Sequence, residues 1–275
     1  MKLSAWSSYY YDLTPEEAIR TFKAHGFDYC ELSDEHSAEL LKRGDPITVG
    51  AEFGKFAKEI GIELLQGHLF LNARLCNDEN RELLKKQLDL FRAVGVKNAV
   101  LHLDSLAWRS DSSLTVEKIR EENCKALKEL LDYIKGSDIV ICLENLIFED
   151  YLNSADSLMY FIERLNSKNL GVCLDTGHLN LAGGDQTEFI KKMCKYIKAL
   201  HLDDNEGQKT DQHLMPFGRG NIDFVPIIRE TKKLNYERLY NFEIPGERNA
   251  PLEILGYKLD YIKKVTEYLD RATEE

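Results

Sequence analysis

The chain has 275 residues, 43% of them hydrophobic and 30% charged, which supplies a sizeable core and fits the usual length of one α/β barrel. Its 36 basic and 47 acidic residues leave a net charge of −11, which disfavours nucleic acid as a partner because an acidic surface repels phosphate backbones. The N-terminus MKLSAWSSYYYD has no basic segment leading into an apolar stretch, and no window approaches the roughly 18 apolar residues of a membrane span; a soluble, cytoplasmic chain with no membrane partner is expected.

In chain order, short apolar runs alternate with amphipathic segments of helical period. A first strand is predicted at Leu3 to Tyr9, followed by a helix opening at Thr14-Pro15-Glu16-Glu17, where Thr14 suits the cap and Pro15 the first helical position. Strand Tyr29 to Leu32 leads through a short acidic loop, Ser33 to His36, to a helix near Val49 to Glu59. Strands Glu63 to Phe70, Ala99 to Leu103 and Val140 to Leu146 precede helices near Glu79 to Val94, Val116 to Lys135 and Ala155 to Leu165. Strands Gly171 to Thr176, Ala199 to Asp203 and Leu239 to Ile244 precede helices near Gln186 to Tyr196, Val225 to Lys233 and Leu255 to Ala272. Glycines such as Gly26, Gly61 and Gly95 mark helix stops.

This alternation predicts parallel strands joined by helical crossovers. The count of eight, and no Gly-x-Gly-x-x-Gly loop after the first strand, favour a single α/β domain over residues 1–275, a (β/α)8 TIM barrel, over a doubly wound open sheet. The six cysteines form no Cys-x-x-Cys pair and read as reduced core thiols.

Polar side chains gather at the C-terminal ends of the predicted strands. Five of the seven histidines, His68, His102, His178, His201 and His213, fall there, as do Glu31, Glu144, Asp175, Asp203 and Glu243. Carboxylates ending apolar strands are costly to bury and repel one another, and a divalent cation removes both costs. Imidazole with carboxylate and no thiolate fits Zn2+, Mn2+, Fe2+ or Co2+ better than Mg2+ or Ca2+. Interior salt bridges are the bland alternative, but Lys and Arg are absent from these strand ends. Glu31 and Asp203 suit a supporting role, each orienting a ligand histidine.

Leu-Glu-Asn at 143–145, Asp-Thr-Gly-His at 175–178, His-Leu-Asp-Asp-Asn at 201–205, Asp-Gln-His-Leu at 211–214 and Phe-Glu-Ile at 242–244 resemble motifs of the xylose isomerase-like barrel superfamily. That superfamily contains sugar and sugar-phosphate isomerases and epimerases together with endonuclease IV. The resemblance to its isomerases implies one metal held by Glu144, Asp175, His201 and Glu243, with His178 contacting substrate. The resemblance to endonuclease IV implies three zinc ions, with His68, His102, His178, Asp211 and His213 as further ligands. One departure is the loop Pro216-Phe217-Gly218-Arg219-Gly220, which reads one residue longer than the superfamily's Pro-Gly-x-Gly. It is either an anion site to which Arg219 adds charge or a plain glycine turn.

Two chemistries follow from the resemblance. As an isomerase or epimerase, the protein takes a sugar or sugar phosphate through a metal-stabilised enediolate, with Glu144 and Glu243 as acid and base. Trp6 and Trp108, together with Tyr9 and Phe70, are candidates to stack on the sugar. The alternative is a multi-zinc phosphoester hydrolase resembling endonuclease IV, against which the net charge and the acidic loop after the second strand weigh for a DNA substrate. The aromatic run Tyr9 to Tyr11 reads as an interface or a pocket rim, leaving a homo-oligomer open.

Overall fold

The computed structural model describes residues 1–108, 113–147, 150–208 and 210–274. Its strands are Lys2–Ala5 (β1), Tyr29–Leu32 (β2), Glu63–His68 (β3), Asn98–Leu101 (β4), Val140–Glu144 (β5), Leu170–Asp175 (β6), Ile197–Leu202 (β7) and Leu239–Phe242 (β8). Every ladder is parallel, in the order β1-β8-β7-β6-β5-β4-β3-β2. A single parallel bridge between Trp6 and Glu31 joins the two ends, so the sheet is a nearly closed (β/α)8 barrel.

Around it lie helices Pro15–Ala24 (α1), Asp34–Leu41 (α2), Pro46–Ile60 (α3), Asp78–Val94 (α4), Val116–Tyr133 (α5), Ala155–Leu165 (α6), Thr176–Leu181 (α7), Gln186–Met193 (α8), Phe224–Lys233 (α9) and Leu252–Ala272 (α10). Local chemistry sets their ends. Thr14 and Glu17 form a reciprocal capping box on α1, Asp45 caps α3, and α3 and α4 stop at Gly61 and Gly95 in the left-handed region (φ 78° and 110°). On α4, Leu84, Leu88 and Phe91 form a fully buried stripe at helical spacing, each contributing about 1.5–3 kcal/mol by leaving water. Among the described residues, no helix is long and apolar enough to cross a membrane.

The strand interiors change character along the barrel axis. Val100, Cys142, Cys173 and Ala199 form a small apolar cluster inside the barrel, separate from the main core between sheet and helices. A buried polar layer of Ser4, Glu31, Gln66, His201 and Asn241 also spans the interior. The six cysteines form no disulfide among the described residues: Cys30, Cys124, Cys142 and Cys173 are buried, Cys76 is half-buried and Cys194 is exposed.

Three expectations need correction. The first strand ends at Ala5, and Ser7–Tyr10 turns as a 3-10 helix that buries Tyr9 and Tyr10. Their rings pack edge to face at 4.9 Å and the Tyr9 hydroxyl donates to Leu255 O at 2.6 Å, so Tyr9 is unavailable for stacking and only Tyr11 of that run is exposed. The acidic stretch after β2 is not a loop but the start of α2: the Ser33 side chain accepts from His36 N–H, and Asp34 and Glu35 suit the positive end of the helix dipole. The sixth strand stops one residue early because Asp175 caps α7 by accepting from His178 N–H.

Candidate metal centre

Parallel strands in a closed barrel bring their C-terminal ends to one rim, and the ligand candidates converge there. His68, Glu144 and Asp175 are the last residues of β3, β5 and β6; His201 is in β7, and His102 and Glu243 directly follow β4 and β8. Glu144, Asp175, His201 and Glu243 are all buried, and each presents one ligand atom within 4.8 Å of the others. His201 Nδ1 lies 3.2 Å from Glu144 Oε1, 3.1 Å from Glu243 Oε2 and 3.9 Å from Asp175 Oδ2. The Asp175 carboxylate is divided between two tasks: Oδ1 caps α7, while the buried Oδ2 makes no hydrogen bond. A buried oxygen left unsatisfied amid three other ligand groups fits a divalent cation.

The histidine is aimed from behind. His201 Nε2 donates to Glu31 Oε1 at 3.1 Å, which leaves Nδ1 to the three carboxylates. Glu31 is held by Gln66 Nε2 at 3.2 Å and by Asn241 Nδ2, and Asn241 accepts from Ser4 at 2.9 Å.

Two further ligand sets adjoin the first. His68 Nε2 and His102 Nε2 lie 3.2 and 3.0 Å from Glu144 Oε2, so the two oxygens of Glu144 face different groups. His68 Nδ1 donates to Leu69 O at 2.7 Å, turning Nε2 inward. Asp211 Oδ2 stands between His178 Nε2 at 3.3 Å and His213 Nε2 at 3.0 Å. Those histidines direct their Nδ1 atoms to Asn145 O at 3.0 Å and Glu243 O at 2.7 Å. Glu144 with His68 and His102, and Asp211 with His178 and His213, each form a compact group able to hold an ion.

Asp203 sits behind this edge. Its Oδ1 accepts from Gly177 N–H at 3.0 Å, and its buried Oδ2, without a hydrogen bond, lies 3.7 Å from His213 Nδ1. Residue 177 must be glycine for this approach, since a Cβ there would stand 2.1 Å from Asp203 Oδ2.

Without a cation the cluster is held together by shared protons. Burial alone would favour neutral imidazole at His68, but Glu144 raises it to about 9; against the effect of burial, Asp175 and Asp203 raise His178 and His213, and Cys173 followed by Glu243, Glu31 and Glu144 raises His201. Burial opposes ionisation of Glu243, yet His201 beside it holds it down to about 2. Asp175 is pushed well up by burial and by Asp203. Burial also lowers His102, which outweighs the pull of Glu144.

Seven of the nine candidate ligands, all but the fully buried Asp175 and His201, line a cavity of about 330 Å³ whose remaining wall is Trp6, Leu71 and Pro245. Trp6 Nε1 is buried and makes no hydrogen bond. Trp108 lines a neighbouring cavity of about 180 Å³ that shares His102 and His178 with the first, and the Arg74 guanidinium lies 4.1 Å from the centre of its ring. Arg219 is not brought to the site. It is exposed and reaches Glu206 at 3.3 Å, because the following chain is tied down where Ile222 N–H donates to Asp204 at 3.0 Å. Composition does not single out the supports Gln66, Asn241 and Asn145; the available signals are that Gln66 follows Leu64-Leu65, Asn241 lies between Tyr240 and Phe242, and Asn145 directly follows Glu144.

Residues 19–265 match the family model described as a xylose isomerase-like TIM barrel. A putative L-ribulose-5-phosphate 3-epimerase, SgbU of Escherichia coli K12, is 25% identical over 250 residues, 86% of each chain. A probable endonuclease 4 of Mycoplasmopsis agalactiae is 28% identical over 189 residues, 59% of this chain and 66% of that protein. The crystal structure of the IOLI protein with a bound zinc atom superimposes with a TM-score of 0.80 at 20% identity, covering 100% of both chains.

Proposed function

The chain belongs to the xylose isomerase-like TIM-barrel family, and from that premise we propose that it is a metal-dependent isomerase or epimerase of a sugar or sugar phosphate. One observation carries this reading: Glu144 and Glu243 line one cavity and flank the same atom, His201 Nδ1, at 3.2 and 3.1 Å. Two carboxylates on either side of a bound carbon are what proton removal and return beside a carbonyl require. The relative named as a 3-epimerase supports the same chemistry.

Glu144, Asp175, His201 and Glu243 would hold the cation, Zn2+ or Mn2+ with Fe2+ and Co2+ as alternatives. When bound, it supplies Lewis-acid polarisation of the substrate carbonyl. One of Glu144 and Glu243 takes the proton from the neighbouring carbon. Its counterpart delivers a proton, to the opposite face in an epimerase or to the adjoining position in an isomerase. Trp6, Leu71 and Pro245 shield that carbon from water; Trp6 Nε1–H, which has no partner in the protein, donates to a substrate oxygen, and His178 Nε2 does so on leaving Asp211. A cavity of about 330 Å³ suits a single sugar ring.

A second reading rests on a separate observation, the two outer ligand sets: His68 and His102 on Glu144 Oε2, and Asp211 between His178 and His213. Three adjacent cations suit phosphoester hydrolysis, in which separate ions serve the attacking and the leaving oxygen. The readings compete at Glu144, because a carboxylate with both oxygens on metals has none free for a proton.

The deciding experiment screens ketohexoses, ketopentoses and their phosphates for exchange of the α-proton with solvent deuterium, alongside metal analysis. Exchange that falls by about 10²–10⁴ in Glu144→Gln and in Glu243→Gln supports the isomerase. No exchange with any of them, together with phosphoester cleavage by a protein holding three metals per chain, would replace it with the hydrolase.

A further inference from the structure

The opposite end of the barrel carries a cluster of cations. A cavity of about 360 Å³ opens there between the turns that lead into β7 and β8, and Lys2, Lys195, Lys198 and Arg238 contribute to its wall. Among the described residues none of these four cations pairs with a carboxylate. In a chain of net charge −11, some other cations do find acids: Arg43 bridges Glu16 and Glu39, and Arg81 bridges Asp78 and Glu129. Glu237 is the one acid in the wall.

The two inner cations are held in place. Arg238 donates from Nη1 to Oδ1 of the buried Asn98 at 2.6 Å, carrying its guanidinium from the start of β8 to the start of β4. The stem of Lys198 crosses β6 at Gly171, where a Cβ would stand 2.4 Å from Lys198 Cγ. Burial and the nearby Arg238 both depress the Lys198 ammonium, so this arrangement carries an electrostatic cost in the absence of a counter-charge.

We propose that this cavity is a binding site for a phosphate-bearing anion, gripped by Arg238 and Lys198 and screened by Lys2 and Lys195. A guanidinium fork beside ammonium groups matches the geometry and charge of a phosphate, and the volume admits a small organic group attached to it. The site is distinct from the metal centre. Lys198 precedes His201 by three residues on β7, which puts roughly 10 Å of extended strand between them. The assignment is independent of which reaction the metal centre performs.

The test is calorimetric titration of the full chain with inorganic phosphate and with glycerol 3-phosphate, in the wild type, Lys198→Gln and Arg238→Gln, with metal content measured in each. The expected result is saturable binding that either substitution weakens about tenfold or more, with metal content unchanged. At a given concentration, phosphate should also raise the Tm of the wild type more than that of Lys198→Gln. Arg238→Gln also loses the brace to Asn98, so Lys198→Gln is the decisive variant if the other folds poorly. Tighter binding of glycerol 3-phosphate marks a phosphorylated metabolite as the occupant, and tighter binding of inorganic phosphate marks the free ion. No saturable binding of either anion, or equal affinity in wild type and Lys198→Gln, overturns the proposal.

Discussion

Glu31→Gln isolates the support of the proposed metal centre from its ligands. Glu31 is fully buried and offers only acceptors to three convergent donors: His201 Nε2 at 3.1 Å, Gln66 Nε2 at 3.2 Å and Asn241 Nδ2. Glutamine keeps the shape but replaces one oxygen with an NH2 group, so at least one donor faces another donor. If that donor is His201, the imidazole is driven to the tautomer with its proton on Nδ1, the atom that faces Glu144 and Glu243. Loss of such a support costs about 10–100-fold in metal affinity, or about 1.4–2.8 kcal/mol. Chelator competition with Zn2+ and Mn2+ measures this directly, with circular dichroism verifying the fold. Affinity within twofold of the wild type would refute the claim that Glu31 aims His201.

Three other outcomes follow from the same geometry. Loading the metal-free protein with Zn2+ at neutral pH should release protons, because carboxylates raise His68, His178, His201 and His213 and the cation replaces those protons; calorimetry in buffers of different ionisation enthalpy reads the number, and no buffer dependence would contradict it. By the sign of the same shifts, the stabilisation these imidazolium pairs give the metal-free protein is fully present below the ordinary histidine pKa and is lost as pH rises through the raised values, about 9 for His68, which denaturant titration against pH follows. Gly177→Ala places a Cβ 2.1 Å from Asp203 Oδ2 and should destabilise by about 1–3 kcal/mol, as overpacking does, while weakening metal binding through His213; an unchanged denaturation midpoint would show that Asp203 can move aside.

The barrel was legible because each strand is a short apolar run followed by an amphipathic helix, and the ligand candidates because acids and histidines end those runs. Less legible were features fixed by tertiary contact. The aromatic run from Trp6 to Tyr10 has the composition of a strand, yet beyond Ala5 it turns back to bury Tyr9 and Tyr10 against Phe22. α2 and α7 begin at the last turn of the preceding connection, where Ser33 and Asp175 act as caps although their sequence context reads as loop or strand. Asp175 could be chosen as a ligand from sequence, but the division of its oxygens between helix cap and ligand cluster depends on where α7 starts. Arg219 looked available because its loop is glycine-rich; Glu206, near in space, takes it away from the cavity.

Anomalous diffraction at the zinc edge, from crystals grown with Zn2+, tests the proposed divalent-cation site at the C-terminal rim of the barrel most directly. A peak is expected at about 2.0–2.2 Å from His201 Nδ1 and from oxygens of Glu144, Asp175 and Glu243, and its loss is expected in crystals of His201→Ala. Zinc bound only elsewhere, or a peak of equal height at this site in His201→Ala, would contradict it.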